Sequence, residues 1–259
     1  VRADCAGRAR DSAWRRFAVA ALAAAATACT TPQAGVPTGS HAAAEAPRVA
    51  VGESWTYRVH DGFTGLPRGT LRYRVSAVSA ERITVSVTAE DGASEETRIF
   101  DRQWNWVRHP ATNLQTFTYD PPYAAYAFPL VPGKTWRART TATDPADGRR
   151  FPVLVEGAAL GWERVRTPAG EFEAIKVRRV VYLRYWVQGV RDLTEILEYE
   201  WYAPAVGQAV RREASSRYLS YFGGGFLPGL RRASKEDDGG PHFVQDDWLI
   251  AELVSYEVR

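Results

Sequence analysis

From Val51 to the end of the chain, apolar and polar side chains alternate with a period of two. More than any other feature, this limits what the chain can become. A strand points successive side chains to opposite faces, so such alternation marks strands with one buried face. Trp55, Tyr57 and Val59 share a face of 53–60, and Leu71, Tyr73, Val75 and Ala77 share one of 70–78. Ile83, Val85, Val87 and Ala89 do the same in 82–90. Further strands are predicted at 96–100, 103–108, 114–119, 134–143, 151–157, 172–187, 192–203, 206–222 and 247–258. Asp61-Gly62, Asp91-Gly92, Asp147-Gly148, Pro168-Ala169-Gly170 and Gly239-Gly240-Pro241 supply turns between them. No stretch in this region has helical periodicity. The expectation is all-β: an antiparallel β-sandwich or open β-barrel. Gly52-Glu53-Ser54-Trp55 with Arg58 is echoed by Gly133-Lys134-Thr135-Trp136 with Arg139, which points to two similar β-modules in one domain.

Ahead of this domain the composition changes. Ser12-Ala13-Trp14-Arg15-Arg16 is a positive stretch, followed by an uncharged apolar run over 17–28. That run is shorter than the roughly 20 residues a spanning helix needs, and it suits the apolar core of an export signal. Small residues Ala26, Thr27 and Ala28 lead directly into Cys29, a pattern that resembles the lipobox of bacterial lipoproteins. The expectation is a lipoprotein signal peptide at 1–28, cleavage before Cys29, and acylation (palmitate-type) of that thiol. Buried acyl CH₂ groups would then supply membrane affinity at about 0.8 kcal/mol each. Residues 29–49, rich in Ala, Pro, Thr and Gly, read as the lipidated cysteine and a flexible tether. Residues 50–259 read as one β-rich domain with an insertion around 223–246. Thr30, in place of Asp, directs the expected location to the periplasmic face of an outer membrane. The chain has no Met and opens on Val1, which suggests an alternative start codon or an imprecise N-terminus.

Charge and cysteine content exclude several classes. The chain holds 33 Lys and Arg against 30 Asp and Glu, but residues 1–28 carry five of the Arg and only two of the acids. Residues 29–259 are balanced at 28 of each sign, so no nucleic-acid partner is expected. Cys5 and Cys29 are the two cysteines, and Cys5 falls in the leader, so the domain has no disulfide to rely on.

Chemistry-bearing motifs are sparse. Gly133-Lys134-Thr135 lacks the upstream glycine of a phosphate loop, because position 128 is Phe. There is no Gly-x-Ser-x-Gly elbow and no His-Glu-x-x-His zinc pattern. His41 lies in the tether, and His60, His109 and His242 fall near predicted turns, where a solvated histidine is expected. Glu236, Asp237, Asp238, Asp246 and Asp247 lack the spacing of a calcium loop. Glu195, Glu198 and Glu200 face a strand with Arg178, Arg179 and Arg184, which predicts cross-strand ion pairs. No catalytic residue, cofactor or metal site is expected. The candidate contact residues for a ligand or partner are aromatic or apolar: Trp104, Trp106, Tyr119, Tyr123 and Tyr126, with Phe226 and Leu227 in a glycine-rich segment before Arg231-Arg232.

The second half resembles the TapB-type proteins, a family of uncharacterised bacterial periplasmic lipoproteins. The residues that carry the resemblance are Gly161-Trp162-Glu163-Arg164-Val165, Thr167-Pro168-Ala169-Gly170-Glu171-Phe172-Glu173-Ala174-Ile175-Lys176-Val177 and Glu200-Trp201-Tyr202-Ala203-Pro204-Ala205-Val206-Gly207, with the strand to Arg212-Glu213. It covers roughly 50–220 and the last strand, and Ala205 stands where the family usually has Gly. The resemblance implies an exported β-fold and no chemistry. The functional expectation is therefore a membrane-anchored, non-enzymatic binding or assembly module of the cell envelope. Its partner would be an envelope protein, glycan or lipid. The alternative is a carrier holding an acyl chain or lipid in an open barrel, and an enzyme acting on envelope glycans ranks third.

Overall fold

A computed structural model describes residues 34–90, 92, 95–111, 115–187, 191–220 and 241–259. The strands, in chain order, are β1 (Gly35–Pro37), β2 (Ser54–Asp61), β3 (Pro67–Val78), β4 (Arg82–Ala89), β5 (Glu95–Asp101), β6 (Trp106–Pro110) and β7 (Thr116–Tyr123). They continue with β8 (Thr135–Thr143), β9 (Arg150–Thr167), β10 (Gly170–Val187), β11 (Arg191–Ala203), β12 (Gln208–Ser220) and β13 (His242–Glu257). A 3-10 turn, Pro204–Val206, joins β11 to β12. Neighbours from β2 to β13 pair antiparallel in sequence order, β13 pairs with β2, and β8 pairs with β9. Twelve strands thus close into an antiparallel barrel, and β1 adds a thirteenth on the outer part of β9. Of the two predicted architectures the molecule adopts the barrel, and it is closed.

The alternation that predicted the strands also decides what fills the barrel. Val153, Val155, Val181, Leu183 and Ile196 point inward from β9, β10 and β11 and are buried. Arginines stand exposed on the outside, as with Arg72 and Arg74 on β3, Arg137 and Arg139 on β8 and Arg184 on β10. Membrane barrels carry an apolar band on that outer face, whereas here the apolar face is the interior. Twelve strands enclose more space than the eight whose side chains just meet, so large residues are needed inside. Trp55, Trp104, Tyr123 and Phe117 supply them, each almost wholly buried.

The sequence echo has a structural counterpart. Gly52 and Gly133 both have positive φ (94° and 86°) and stand just before β2 and β8. Gly52 N donates to Val75 O, and Val75 N donates back to Glu53 O; likewise Gly133 N donates to Ala159 O, and Ala159 N to Lys134 O. Each receiving strand then carries a bulge, after Val75 in β3 and after Ala159 in β9. Three strands later each module makes a tight turn through the left-handed region, at Trp104 (φ 61°) and at Gly207 (φ 63°). Strands β2–β7 and β8–β13 are therefore two versions of one six-stranded unit.

The expected tether gives way to ordered structure from residue 34 onward. Strand β1 pairs Gly35 with Val165 and Pro37 with Glu163, and Ala44 bridges Leu130. Trp162 Nε1 donates to Ala42 O at 2.8 Å, and Ala44 and Val49 are buried. The small, proline-rich composition that suggested flexibility instead lets an extended chain lie against the barrel and satisfy its backbone there. Cys29 and residues 223–240 lie outside the described residues. Of the expected insertion, 242–246 belong to β13.

Candidate functional site

Strand register brings charge into the barrel. Arg179 of β10 faces Glu198 of β11, and Glu200 faces Arg212 of β12, all on inward positions. Arg179 is wholly buried; its Nε donates to Glu198 Oε2 at 2.8 Å and its Nη1 to Glu200 Oε2 at 2.9 Å. Arg212 Nη2 donates to Glu198 Oε1 at 2.7 Å, and its Nε lies 3.0 Å from Glu200 Oε1. Tyr123 and Tyr126 donate their hydroxyls to Glu198 and Glu200. Two guanidinium groups and two carboxylates therefore neutralise one another. Burial alone would raise both glutamates, but Arg179 and Arg212 outweigh it and hold Glu200 at about 2 and Glu198 below its usual range. Carboxylates so firmly ionised and ion-paired are poorly suited to proton transfer at neutral pH.

An aromatic stack lies beside this cluster. Trp106 is sandwiched between His109 (ring centroids 3.9 Å, 16° apart) and Tyr123 (4.1 Å, 8°), and Arg212 lies over Trp106 at 5.1 Å. His109 is buried, contrary to the solvated turn expected for it. A register shift between Trp106 and Arg108 lets both Trp106 and His109 face inward, and the His109 ring packs as an aromatic between Phe100 and Trp106. Its Nδ1 lies 2.6 Å from Pro110 O and its Nε2 3.4 Å from Arg98 Nη1, which fits a neutral ring protonated at Nδ1. Burial first, and then the Arg98 charge, lowers its pKa well below the ordinary histidine value. Arg98 in turn donates to Glu96 through Nε and Nη2 and to the Tyr73 hydroxyl through Nη1 at 2.6 Å.

The lumen is divided. Under β9, β10 and β11 it is packed, leaving a void of only about 10 Å³ beside Trp106, Tyr119 and Tyr123. Under β2, β3 and β13, the inward-facing Val59, Leu71, Tyr73, Leu249 and Ala251 stay half-buried, so water reaches them. They line a chamber of about 140 Å³ with Arg98, His109, Pro110, Arg212 and Ala214. An adjoining space of about 60 Å³ shares Tyr73, His109, Arg212 and Ala251 and reaches Trp104, Trp106 and Tyr126. The wall is apolar and the base is polar. On the outer face of the barrel, a separate groove of about 430 Å³ runs past Pro121, Pro152, Leu154, Tyr182 and Leu193.

The aromatic candidates thus occupy two settings. Trp104, Trp106, Tyr119, Tyr123 and Tyr126 are all buried in the core and form no exposed groove. Trp104, Trp106 and Tyr126 border the inner space, whereas Tyr119 and Tyr123 border the small void. Phe226 and Leu227 lie outside the described residues. The cross-strand ion pairs predicted for Glu198 and Glu200 exist but are interior, while Glu195 pairs with Arg217 near the surface. Sequence reasoning passed over Arg98, His109 and Arg212. Parity was the available signal, because each falls on the same face as its apolar neighbours: Arg98 with Phe100, Arg212 with Ala214.

No family model and no curated protein matches the chain. Among solved structures it is similar to a lipoprotein candidate from Parabacteroides distasonis, at 15% identity over 83% of this chain and 100% of that one (TM-score 0.48). It is also similar to a candidate exported protein with a YmcC-like fold from Bacteroides fragilis (17%, 84% and 100%, TM-score 0.47). A third is the hypothetical lipoprotein YmcC from Escherichia coli (9%, 78% and 84%, TM-score 0.40). Likenesses this distant assign neither a ligand nor an activity.

Proposed function

We propose that the chain is a lipid-anchored protein of the bacterial envelope, held at the membrane through Cys29, whose barrel is a non-enzymatic binding module with its lumen as the binding place. The anchor rests on the leader, where a positive stretch, a short apolar run and small residues converge on Cys29. The binding reading rests on the divided lumen: one half is packed solid, and the other keeps a water-reachable chamber over a polar base. An unneeded void would lose packing contacts, so an open chamber beside a filled core favours occupancy by a ligand. The ion-paired glutamates weigh against an acid–base enzyme. A carrier enclosing a whole acyl chain fits less well, because about 150 Å³ holds a molecule the size of benzene.

Membrane fractionation of Cys29→Ser tests the anchor. The wild-type chain is expected with the membranes and the variant in the soluble fraction; a variant that stays with membranes overturns the anchor. Mass spectrometry of what co-purifies with the lipidated protein tests the binding role, for which one recurring small molecule is expected.

A further inference from the structure

The chamber has an imbalance that points to its ligand. Arg212 Nη1 makes no hydrogen bond among the described residues; Nη2 donates to Glu198, and Nε stands 3.0 Å from Glu200 Oε1 in an ion pair without a hydrogen bond. The Tyr73 hydroxyl accepts from Arg98, and its own proton has no acceptor among the described residues. The carboxylates at the base, by contrast, are already ion-paired. Glu200 Oε2 receives Arg179 and Tyr126, and its Oε1 faces Arg179 Nη2 and Arg212 Nε. His109 Nε2 faces Arg98. Tyr57 donates to Ala209 O beside the adjoining space, so its proton is used. Of the inward acids nearer the rim, Asp61 is held by Arg68, and neither Asp61 nor Asp247 lines the chamber.

A cavity with donors to spare and its carboxylates already ion-paired calls for a group rich in acceptors, and a guanidinium calls for an anionic one. Around that polar base the wall is Val59, Leu71, Pro110, Leu249 and Ala251. We propose that the chamber takes a small amphiphilic anion, a single carboxylate or phosphate head on an apolar body. The head lies against Arg212 and Tyr73 and the body against Val59, Leu71 and Leu249. A body of about six carbons fills a space of this size. This assignment rests on the reading of the lumen as the binding place.

Hexanoate, hexyl phosphate and hexanol share one body and differ in head. Titration calorimetry with each, on the full chain carrying Cys29→Ser and kept free of detergent, reads the preference. At least one anion is expected to bind about tenfold or more tightly than hexanol. The stronger of the two identifies the head as a fatty-acid-type carboxylate or a lipid-type phosphate. Hexanol binding as tightly as both anions, or no binding by any of the three, overturns the proposal. Ala251→Phe fills the chamber from β13 without removing an ion pair and is expected to abolish anion binding. A folded Ala251→Phe protein that keeps the preference also overturns it. In Arg212→Gln the difference between hexanoate and hexanol is expected to disappear, and a folded variant that keeps it overturns the proposal. The anchor is read separately by fractionation, so a failed titration leaves it standing and a failed anchor leaves the titration valid.

Discussion

Arg179 shows what a buried charge means in this molecule. It is wholly enclosed and holds two carboxylates, so removing it leaves both to Arg212 alone, with one negative charge in excess. Arg179→Met is expected to cost about 3–5 kcal/mol, read as a lower urea midpoint. Adding Glu200→Gln to that variant is expected to recover much of the loss, because the excess negative charge is then gone while Glu198 still pairs with Arg212. His109 sets a second dependence. Its folded pKa lies well below the ordinary value, chiefly through burial and then through Arg98, so the unfolded chain binds the proton first. Stability is therefore complete above about pH 6.5 and declines as pH falls below it. In His109→Gln the melting temperature is expected to stay flat between pH 6.5 and 5, where the wild type falls. Glu200, at about 2 against an ordinary 4.5, contributes a separate loss lower down. Its stabilisation is present above about pH 4.5 and disappears as pH falls towards 2.

At the level of elements, close approach and edge pairing decide the fold. A methyl group on Gly157 would sit 2.0 Å from the Trp136 ring, whose Nε1 donates to Ala124 O. Gly157→Ala on β9 is expected to destabilise by about 1–3 kcal/mol, and by much less in a Trp136→Leu background, as a double-mutant cycle would read. The segment around β1 makes a different prediction. Limited proteolysis of the native protein is expected to spare 42–49, and Ala44→Glu is expected to open that stretch to cleavage. The twelve barrel strands were legible in the sequence because half-buried strands leave a period-two record. β1 was not, since three residues of Gly-Val-Pro carry no period at all. The full length of β9 was missed for a related reason: the bulge at Leu160 shifts parity in mid-strand, so the alternation of 151–157 is broken while the strand continues to Thr167.

For the whole molecule, closure was the part that sequence could not fix. Strand order follows chain order, so a sandwich and a barrel share the same local pattern, and only the β13–β2 and β8–β9 pairings tell them apart. The interior site was half legible for the same reason. The glutamates and arginines announced pairing, but whether they faced water or one another depended on a sheet that curls shut. The docked N-terminal segment, finally, sets a leash. Only Thr30 to Ala34 separate Cys29 from β1, and an extended chain of that length spans about 20 Å. With Cys29 acylated, the barrel would ride close over the lipid headgroups, and any ligand would have to be met there, at the bilayer surface. A flexible Gly-Ser insert of about twenty residues after Thr31 is expected to leave melting unchanged and to weaken quenching of tryptophan fluorescence by headgroup-labelled lipid. Unchanged quenching would mean that the barrel adheres to the membrane by its own surface.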